Sequence, residues 1–393
     1  MRCLLAFDKF KDAVTAPEAC AAAANALRAK HPDWTFDLCP LTDGGEGFTE
    51  ILTQAGGGVL ESIEVTGPRG GAATAAFGLV AAARLPLAAR ERFGLAGPEM
   101  LAVADMASAS GLALLAPGGR NPWHATSLGT GQLLVAAAGQ LLVAAAGKKP
   151  AAILLGVGGS ATNDLGLGAL SALGFRFFDA FGQVVQPPVP ARWEQIVRIE
   201  GHATLPPLFI ACDVTHPLLG PRGATATFGP QKGLPPTDVL RLETQAARLA
   251  ALLCDHCERP RTLAAIPGTG AAGGLPFGLM TAVGAQLVPG FDLVADWLGL
   301  AQRIAAADLV LTGEGRFDAT SLGGKGPGRL AVQARQTGKP AHVFAGSLDL
   351  PVRSGFDRPD DTVHHAITPA GMPLAEALPR TAELLAAAVT RIF

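Results

Sequence analysis

The chain has 393 residues and no tyrosine; tryptophan numbers 4, methionine 5 and cysteine 6. Six scattered cysteines in so long a chain do not make a disulfide framework, which fits a reducing, cytoplasmic setting. Cys254-Asp-His-Cys257 is a lone CxxC with no second pair, so it is read as a helix end with two incidental thiols. Charge is also scarce: Asp, Glu, Lys and Arg make up 16% of the chain. Lys+Arg 31 against Asp+Glu 33 leaves a net charge of -2, so no basic excess exists to neutralise a nucleic-acid backbone. With 49% hydrophobic residues, disorder is excluded too. No apolar run is long enough for a membrane span. The most apolar stretch, Leu133–Gly147, is short, interrupted by Gln140 and rich in alanine, and reads as a buried helix. The opening MRCLLAFDKFKDAV has neither a long apolar core nor a small-residue cleavage site, so no secretory signal is expected.

What is abundant is small. Alanine dominates, and glycine numbers 49. Short apolar strands are expected at Cys3–Phe7, Thr35–Leu38, Gly58–Val65, Ala72–Ala82, Met100–Ala104, Ala151–Leu155, Leu208–Ala211, Asp308–Thr312, Ala341–Ala345 and His364–Ile367. Phe175–Phe178 is expected to pair with Ala151–Leu155 or lie nearby. Helices are expected at Ala16–Ala29, capped by Thr15 with Glu18 at N3, and at Gly45–Gln54, Thr126–Ala146, Thr237–Cys257, Gly328–Gln336 and Leu374–Ile392. Strands alternating with helices predict an α/β protein with a mainly parallel sheet. The octapeptide GQLLVAAA occurs at 131–138 and again at 139–146. A period of eight fits neither a heptad nor a solenoid, so it reads as a tandem duplication within one helix. One copy is expected to be absorbed by overrun or looping out near Gly139–Lys149.

The chemistry-bearing residues sit in glycine loops after expected strands, where ligands of open α/β sheets gather. Pro40-Leu-Thr-Asp43-Gly-Gly-Glu46-Gly places an acid pair at such an edge. Gly156-Val-Gly158-Gly159-Ser160-Ala-Thr162-Asn163-Asp164 opens a helix, and its backbone N–H groups and helix start would cradle an anion. Ser160 and Thr162 add hydroxyls, and Asp164 can bind a metal or accept a proton. The same loop matches G-x-G-x-x-A, with Asp179 some 20 residues on, so a dinucleotide-binding dehydrogenase is one rival. A sugar-acid-binding regulator without turnover is another. Phe228-Gly-Pro-Gln231-Lys232-Gly, Pro267-Gly-Thr-Gly270-Ala-Ala-Gly273-Gly274, Thr312-Gly-Glu314-Gly-Arg316-Phe-Asp318 and Leu322-Gly-Gly-Lys325 fit phosphoryl transfer better. The chain has no G-x-x-x-x-G-K-[ST], G-x-S-x-G or H-E-x-x-H.

Together these loops resemble the bacterial glycerate kinase family over almost the whole chain. The motifs are DKFKDAVTA (8–16), PLTDGGEGF (40–48), VTGPRG (65–70), MASASGL (106–112), GGSATND within 155–170, FGPQKG (228–233), PGTGAAGG (267–274) and TGEGRFD (312–318). The family's first motif commonly reads D-S-F-K-G-S, whereas Lys9 and Asp12 stand here. Asp105 replaces a usual Glu, and the helix after Gly129-Thr-Gly131 is longer by one GQLLVAAA copy. The resemblance implies two α/β domains, a flavodoxin-like parallel-sheet domain (1–62 and 286–393) with a mixed α/β domain (63–285) inserted into it. The active site is expected in the cleft between them. The expected activity is ATP-dependent phosphorylation of D-glycerate, at the 2-hydroxyl rather than the 3-hydroxyl, with Mg²⁺ on the nucleotide phosphates. No nucleic acid or membrane partner is expected; a homodimer is one assembly open to it. On chemical grounds Gly158, Gly159, Ser160, Thr162, Asn163, Gly270 and Gly273 would hold phosphates. Lys11 and Lys232, with Arg316 or Lys325, would hold the substrate carboxylate or stabilise transferring charge, with Glu46 also at the substrate. Asp164 or Asp43 would accept the hydroxyl proton, and Asp213, Glu314 or Asp318 would hold metal. Asp164→Asn is then expected to remove turnover and leave the fold intact.

Overall fold

The computed structural model describes residues 1–139, 149–322, 326–349 and 363–393. Among them run strands β1 (Arg2–Phe7), β2 (Thr35–Leu38), β3 (Val59–Thr66), β4 (Ala72–Ala81), β5 (Met100–Asp105), β6 (Ala152–Gly156), β7 (Arg176–Phe178), β8 (Arg198–Glu200), β9 (Leu208–Ala211), β10 (Gln286–Val288), β11 (Leu309–Asp318), β12 (Ala341–Asp349) and β13 (Val363–Ala366). The chain forms two compact units, Met1–Asp43 with Phe291–Phe393, and Gly44–Gly290.

In the first unit five strands pair all-parallel in the order β2-β1-β11-β12-β13. This is the flavodoxin-like order, in which the first and third strands meet at the topological switch point. Cys3, Leu5, Phe7, Leu309, Leu311 and Phe344 cover one face of the sheet core, packed by Ala19, Cys20, Ala23 and Leu27 of the helix Ala16–Lys30 and by Leu385 and Val389 of the helix Thr381–Ile392. Alanines on the helix face let backbone and sheet approach closely. The helix Ala16–Lys30 starts as its sequence demands: Thr15 accepts from Glu18 N, and Glu18 reaches back to Thr15 N. Such a cap stabilises by about 1 kcal/mol.

β11 does not stop at Thr312. It continues to Asp318, paired with β12 as far as Asp349. The glycines of TGEGRFD, read as loop punctuation, are instead close-approach positions: a Cβ at 313 would lie 1.8 Å from Phe344 O.

The second unit carries a mixed sheet in the order β10-β9-β6-β5-β4-β3, antiparallel at β3–β4 and β4–β5 and parallel elsewhere. β7 does not join it. Both edges of β6 are already taken by β5 and β9, so β7 pairs with β8 in a separate two-stranded sheet. The helix expected over Thr126–Ala146 spans Leu128–Ala137; its C-cap is Ala138, and Gly139 turns away at φ +79°. One GQLLVAAA copy thus fills that helix and its cap. The second copy from Gln140, with the expected absorption of the duplication, lies outside the described residues. The helix expected over Leu374–Ile392 is broken at Pro379 into Leu374–Ala377, a tight turn and Thr381–Ile392. No helix among the described residues is long and apolar enough to cross a membrane.

Candidate active site

The parallel sheet of the first unit brings acids to its carboxyl edge. β1 ends at Phe7, and the next residue, Asp8, donates its backbone N–H to Gly313 O at 2.9 Å, which sets it beside Glu314 of β11. Asp43 follows β2 and forms a 2.8 Å ion pair with Lys9 Nζ. Asp8 is 6% exposed and its Oδ1 accepts from Lys9 N at 2.7 Å. Burial first, then the Asp43 carboxylate, pushes its pKa up to about 7, with Glu314 adding and Lys9 opposing. Asp8 was not singled out from the sequence. Its burial and its acid neighbour come from pairing with a strand some 300 residues away, which no local pattern carries.

Lys11 is exposed on the turn between Phe10 and Val14, against Gly315. Asp12 in that turn stands at φ +61°, where the family pattern has glycine; aspartate is among the few side chains that tolerate it. Arg316 and Asp318 lie out on the β11–β12 ribbon. Arg316 pairs with Asp349 at 2.6 Å and with Asp318 at 3.5 Å, both at the surface. Lys325 falls outside the described residues.

Two of the three expected metal ligands, Glu314 and Asp318, are too far apart along their strand to share one ion. Glu314 and Asp318 are four residues apart on a single strand, about 13 Å at the strand rise. Asp213 is an exposed residue of the other unit, after β9. Among the described residues no group of three or more His, Cys, Asp or Glu is arranged to hold a metal.

In the second unit the loop after β6 is built backbone on backbone. Gly158 N donates to Gly44 O at 2.9 Å, and a Cβ at 158 would fall 2.7 Å from Gly45 N. Gly159, at φ +69°, forms an exposed tip beside the Glu46 carboxylate. Ser160 is half-buried, while Thr162, Asn163 and Asp164 are buried. Thr162 Oγ1 bonds to Ala272 O and Asn163 Nδ2 donates to Thr225 Oγ1.

Asp164 is wholly buried and its carboxylate is fully engaged. Oδ2 accepts from Ser127 N (2.7 Å), Ser127 Oγ (2.8 Å) and Gly168 N (3.2 Å), and Oδ1 from Gly166 N (3.1 Å). Burial pushes its pKa up and the four donors pull it back, with a net rise. The short helix Leu167–Ala172 therefore has its start closed by Asp164 rather than left open to an anion. The expected phosphate cradle narrows to the tip at Gly158, Gly159 and Ser160.

Gly270 and Gly273 are spent on packing. Gly270 N and Gly268 N bond His216 O, and a Cβ at 270 would lie 2.1 Å from Pro217 O. Gly273, at φ +67°, lies against the first loop: its carbonyl accepts from Leu165 N, and a Cβ there would meet Thr162 O at 2.1 Å. Gly273→Ala is expected to cost about 2–4 kcal/mol, from strained φ plus displaced backbone. Gly182→Ala, at φ +78° with open space around it, should cost only about 1 kcal/mol. Equal losses in urea melts of the two variants would contradict the packing role of Gly273.

Lys232 is 1% exposed, beneath the loop rather than facing solvent. Its Nζ donates to Ser160 Oγ at 2.8 Å and to Thr162 O at 2.6 Å. Asp179 lies in a turn after β7, accepting from Phe181 N and Gln183 N, and β7 does not neighbour β6. A dinucleotide site needs that acid on the strand adjacent to the glycine loop, so the dehydrogenase reading fails on topology.

The sequence model described as "Glycerate kinase family" matches residues 3–393. The chain is 34% identical to a glycerate kinase of Halalkalibacterium halodurans, covering 99% of this chain and 96% of that one. It is 36% identical to a glycerate kinase of Haemophilus influenzae (92% and 90% covered) and 34% identical to a glycerate 2-kinase of Escherichia coli (94% and 92% covered). A crystal structure of a protein assigned as glycerate kinase 2 from Salmonella typhimurium superimposes with a TM-score of 0.72 at 34% identity, covering 100% of this chain and 97% of that one. Sheet order, glycine loops and full-length similarity thus point one way, and the chain belongs to the glycerate kinase family.

Proposed function

We propose that this chain transfers the terminal phosphoryl group of ATP to D-glycerate, at the 2-hydroxyl. The observation that carries the reading is the group of Asp8, Lys9, Asp43 and Glu314 at the carboxyl edge of the parallel sheet, in a chain of the glycerate kinase family. A kinase acting on an alcohol needs a proton acceptor for the hydroxyl and donors for the moving phosphoryl group. Asp8, buried and held near neutrality, is suited to accept the proton. Asp43 is ion-paired to Lys9 and sets the field around Asp8. Lys11, exposed beside the same edge, would hold the glycerate carboxylate. Within the second unit, taken by itself, Gly159 and Ser160 form a loop tip suited to phosphate oxygens. Among the described residues no set of acids is arranged to hold a metal, and Mg²⁺ would be carried by the nucleotide phosphates. The glycerate 2-kinase of Escherichia coli among its relatives supports the 2-position.

The test is direct. Purified protein is mixed with Mg²⁺-ATP and D-glycerate, ADP is followed, and the product is identified by phosphorus NMR. ADP with 2-phosphoglycerate is the expected result. 3-Phosphoglycerate would overturn the regiochemistry, and no ADP would overturn the substrate.

A further inference from the structure

We propose that Lys232 is a positioning residue that acts through Ser160, turning the Ser160 hydroxyl hydrogen outward so that it donates to the transferring phosphoryl group. The inference rests on the kinase reading above. Its first support is the direction of a hydrogen bond. While Lys232 is protonated, as an anion on the loop keeps it, its ammonium has three donors and no acceptor, so in the 2.8 Å contact Ser160 Oγ must accept from Lys232 Nζ. A serine hydroxyl has a single hydrogen, and it cannot point back at the ammonium. Among the described residues Ser160 Oγ donates to no protein group. Ser160 is half-buried beside the exposed Gly159, so its hydrogen is left for an acceptor on the outer side of the loop.

The second support is where the charge sits. Lys232 is 1% exposed, and its Nζ is hydrogen-bonded to a hydroxyl and a carbonyl, not to a carboxylate. An ammonium without a contact ion partner in a dry interior is costly. The same low dielectric makes it effective on negative charge arriving just above it. The charged and titratable groups on elements packed around it include Asp164, Glu46 beside Gly159, Arg120, whose carbonyl packs on Gly233, His216 against Phe228, and Glu243, which reaches Gly220 N and Thr225. Burial draws the Lys232 pKa down to about 7, and Asp164 alone of these acts to raise it. Above neutral pH the empty loop therefore loses the Lys232 proton, and an anion on the loop draws it back.

The sequence pattern placed Lys232 on the substrate. The structure places it under the loop, one bond removed. A lysine that touched substrate directly would give effects independent of Ser160. A relay gives effects that do not multiply.

The experiment is a double-mutant cycle in the full chain with Ser160→Ala, Lys232→Met and both. Each single variant should lower kcat by about 10²-fold, the usual loss for one donor to developing charge, with little change in KM for glycerate. The double variant should be no more than about threefold slower than the slower single. Losses that multiply would overturn the relay. Ser160→Ala leaves Lys232 in place and changes only a half-buried loop hydroxyl, so it reads the hydroxyl even where Lys232→Met unfolds. A Ser160→Ala variant with wild-type kcat would overturn the proposal. A second readout does not depend on glycerate being the substrate. ATP binding at pH 8, measured calorimetrically in two buffers of different ionisation enthalpy, should take up a proton in the wild-type chain and none in Lys232→Met. Equal uptake in both would overturn the proposal. Proton-linked ATP binding without phosphoglycerate formation would instead fault the assigned acceptor and leave the relay standing.

Discussion

Asp8→Asn is expected to lower kcat by about 10²–10⁴-fold, the range lost with a positioned proton acceptor, and at the same time to raise the melting temperature at pH 8. The two effects share one cause. In the folded chain Asp8 is 6% exposed and faces Asp43 and Glu314, so its carboxyl is pushed from an ordinary 3.8 up to about 7. A carboxyl whose folded value lies above its unfolded value binds more protons in the folded state. Stability therefore falls as pH rises between those two values and stays reduced above them. Taken whole, the shift corresponds to roughly 4 kcal/mol, and relaxation of the neighbouring charges leaves about 1–3 kcal/mol. Asparagine keeps the acceptor for Lys9 N and carries no charge to bury. The melting gain should thus appear at pH 8 and shrink towards pH 4, below which the wild-type carboxyl is protonated in both states. The wild-type kcat/KM should also rise with pH through about 7, and the variant should lose that limb. Turnover within threefold of wild type would remove Asp8 from the chemistry, and a lowered melting temperature at pH 8 would refute the repulsion.

This is a trade of stability for function that the sequence did not reveal. Asp8 lies in DKFKDAVTA, where attention falls on the lysines, and nothing local marks it as buried. What was legible rests on local rules. The Thr15–Glu18 capping box is one case, and the apolar runs of β1, β2, β11 and β12 are another; those strands, with β13, form one parallel sheet. What was not legible depends on partners far along the chain. Phe175–Phe178 is apolar enough for the main sheet, but β6 has no free edge to offer. The glycines of TGEGRFD look like a loop, but a neighbouring carbonyl requires them inside a strand. Gly270 and Gly273 look like a phosphate cradle, but each is pressed against another backbone. A glycine says that something approaches closely; the sequence does not say whether it is ligand or chain.

Asp164→Asn carries the same lesson to an opposite result. If Asp164 served as the free proton acceptor expected from GGSATND, the variant would be inactive and as stable as the parent. The structure predicts a chain that is less stable by about 3–5 kcal/mol. Both carboxylate oxygens are committed, to four donors on Ser127, Gly166 and Gly168. Asparagine offers one oxygen, and its amide hydrogens would point at N–H groups that have no other partner in a dry site, each worth about 1–3 kcal/mol. The loss spreads because Ser127, the residue just before the helix Leu128–Ala137, is held by Asp164 and its Oγ accepts from Ala169 N of the next helix, so one carboxylate ties two helix starts to the glycine loop. Activity should fall as well, because Ser160 and Thr162 precede Asp164 on the same loop. It should fall through loosened loop geometry, with KM for ATP raised along with the loss of kcat. The melting temperature should drop by at least about 6 °C for a unit of this size. An inactive Asp164→Asn with unchanged melting and unchanged KM for ATP would return Asp164 to the chemistry and leave Asp8 without its role.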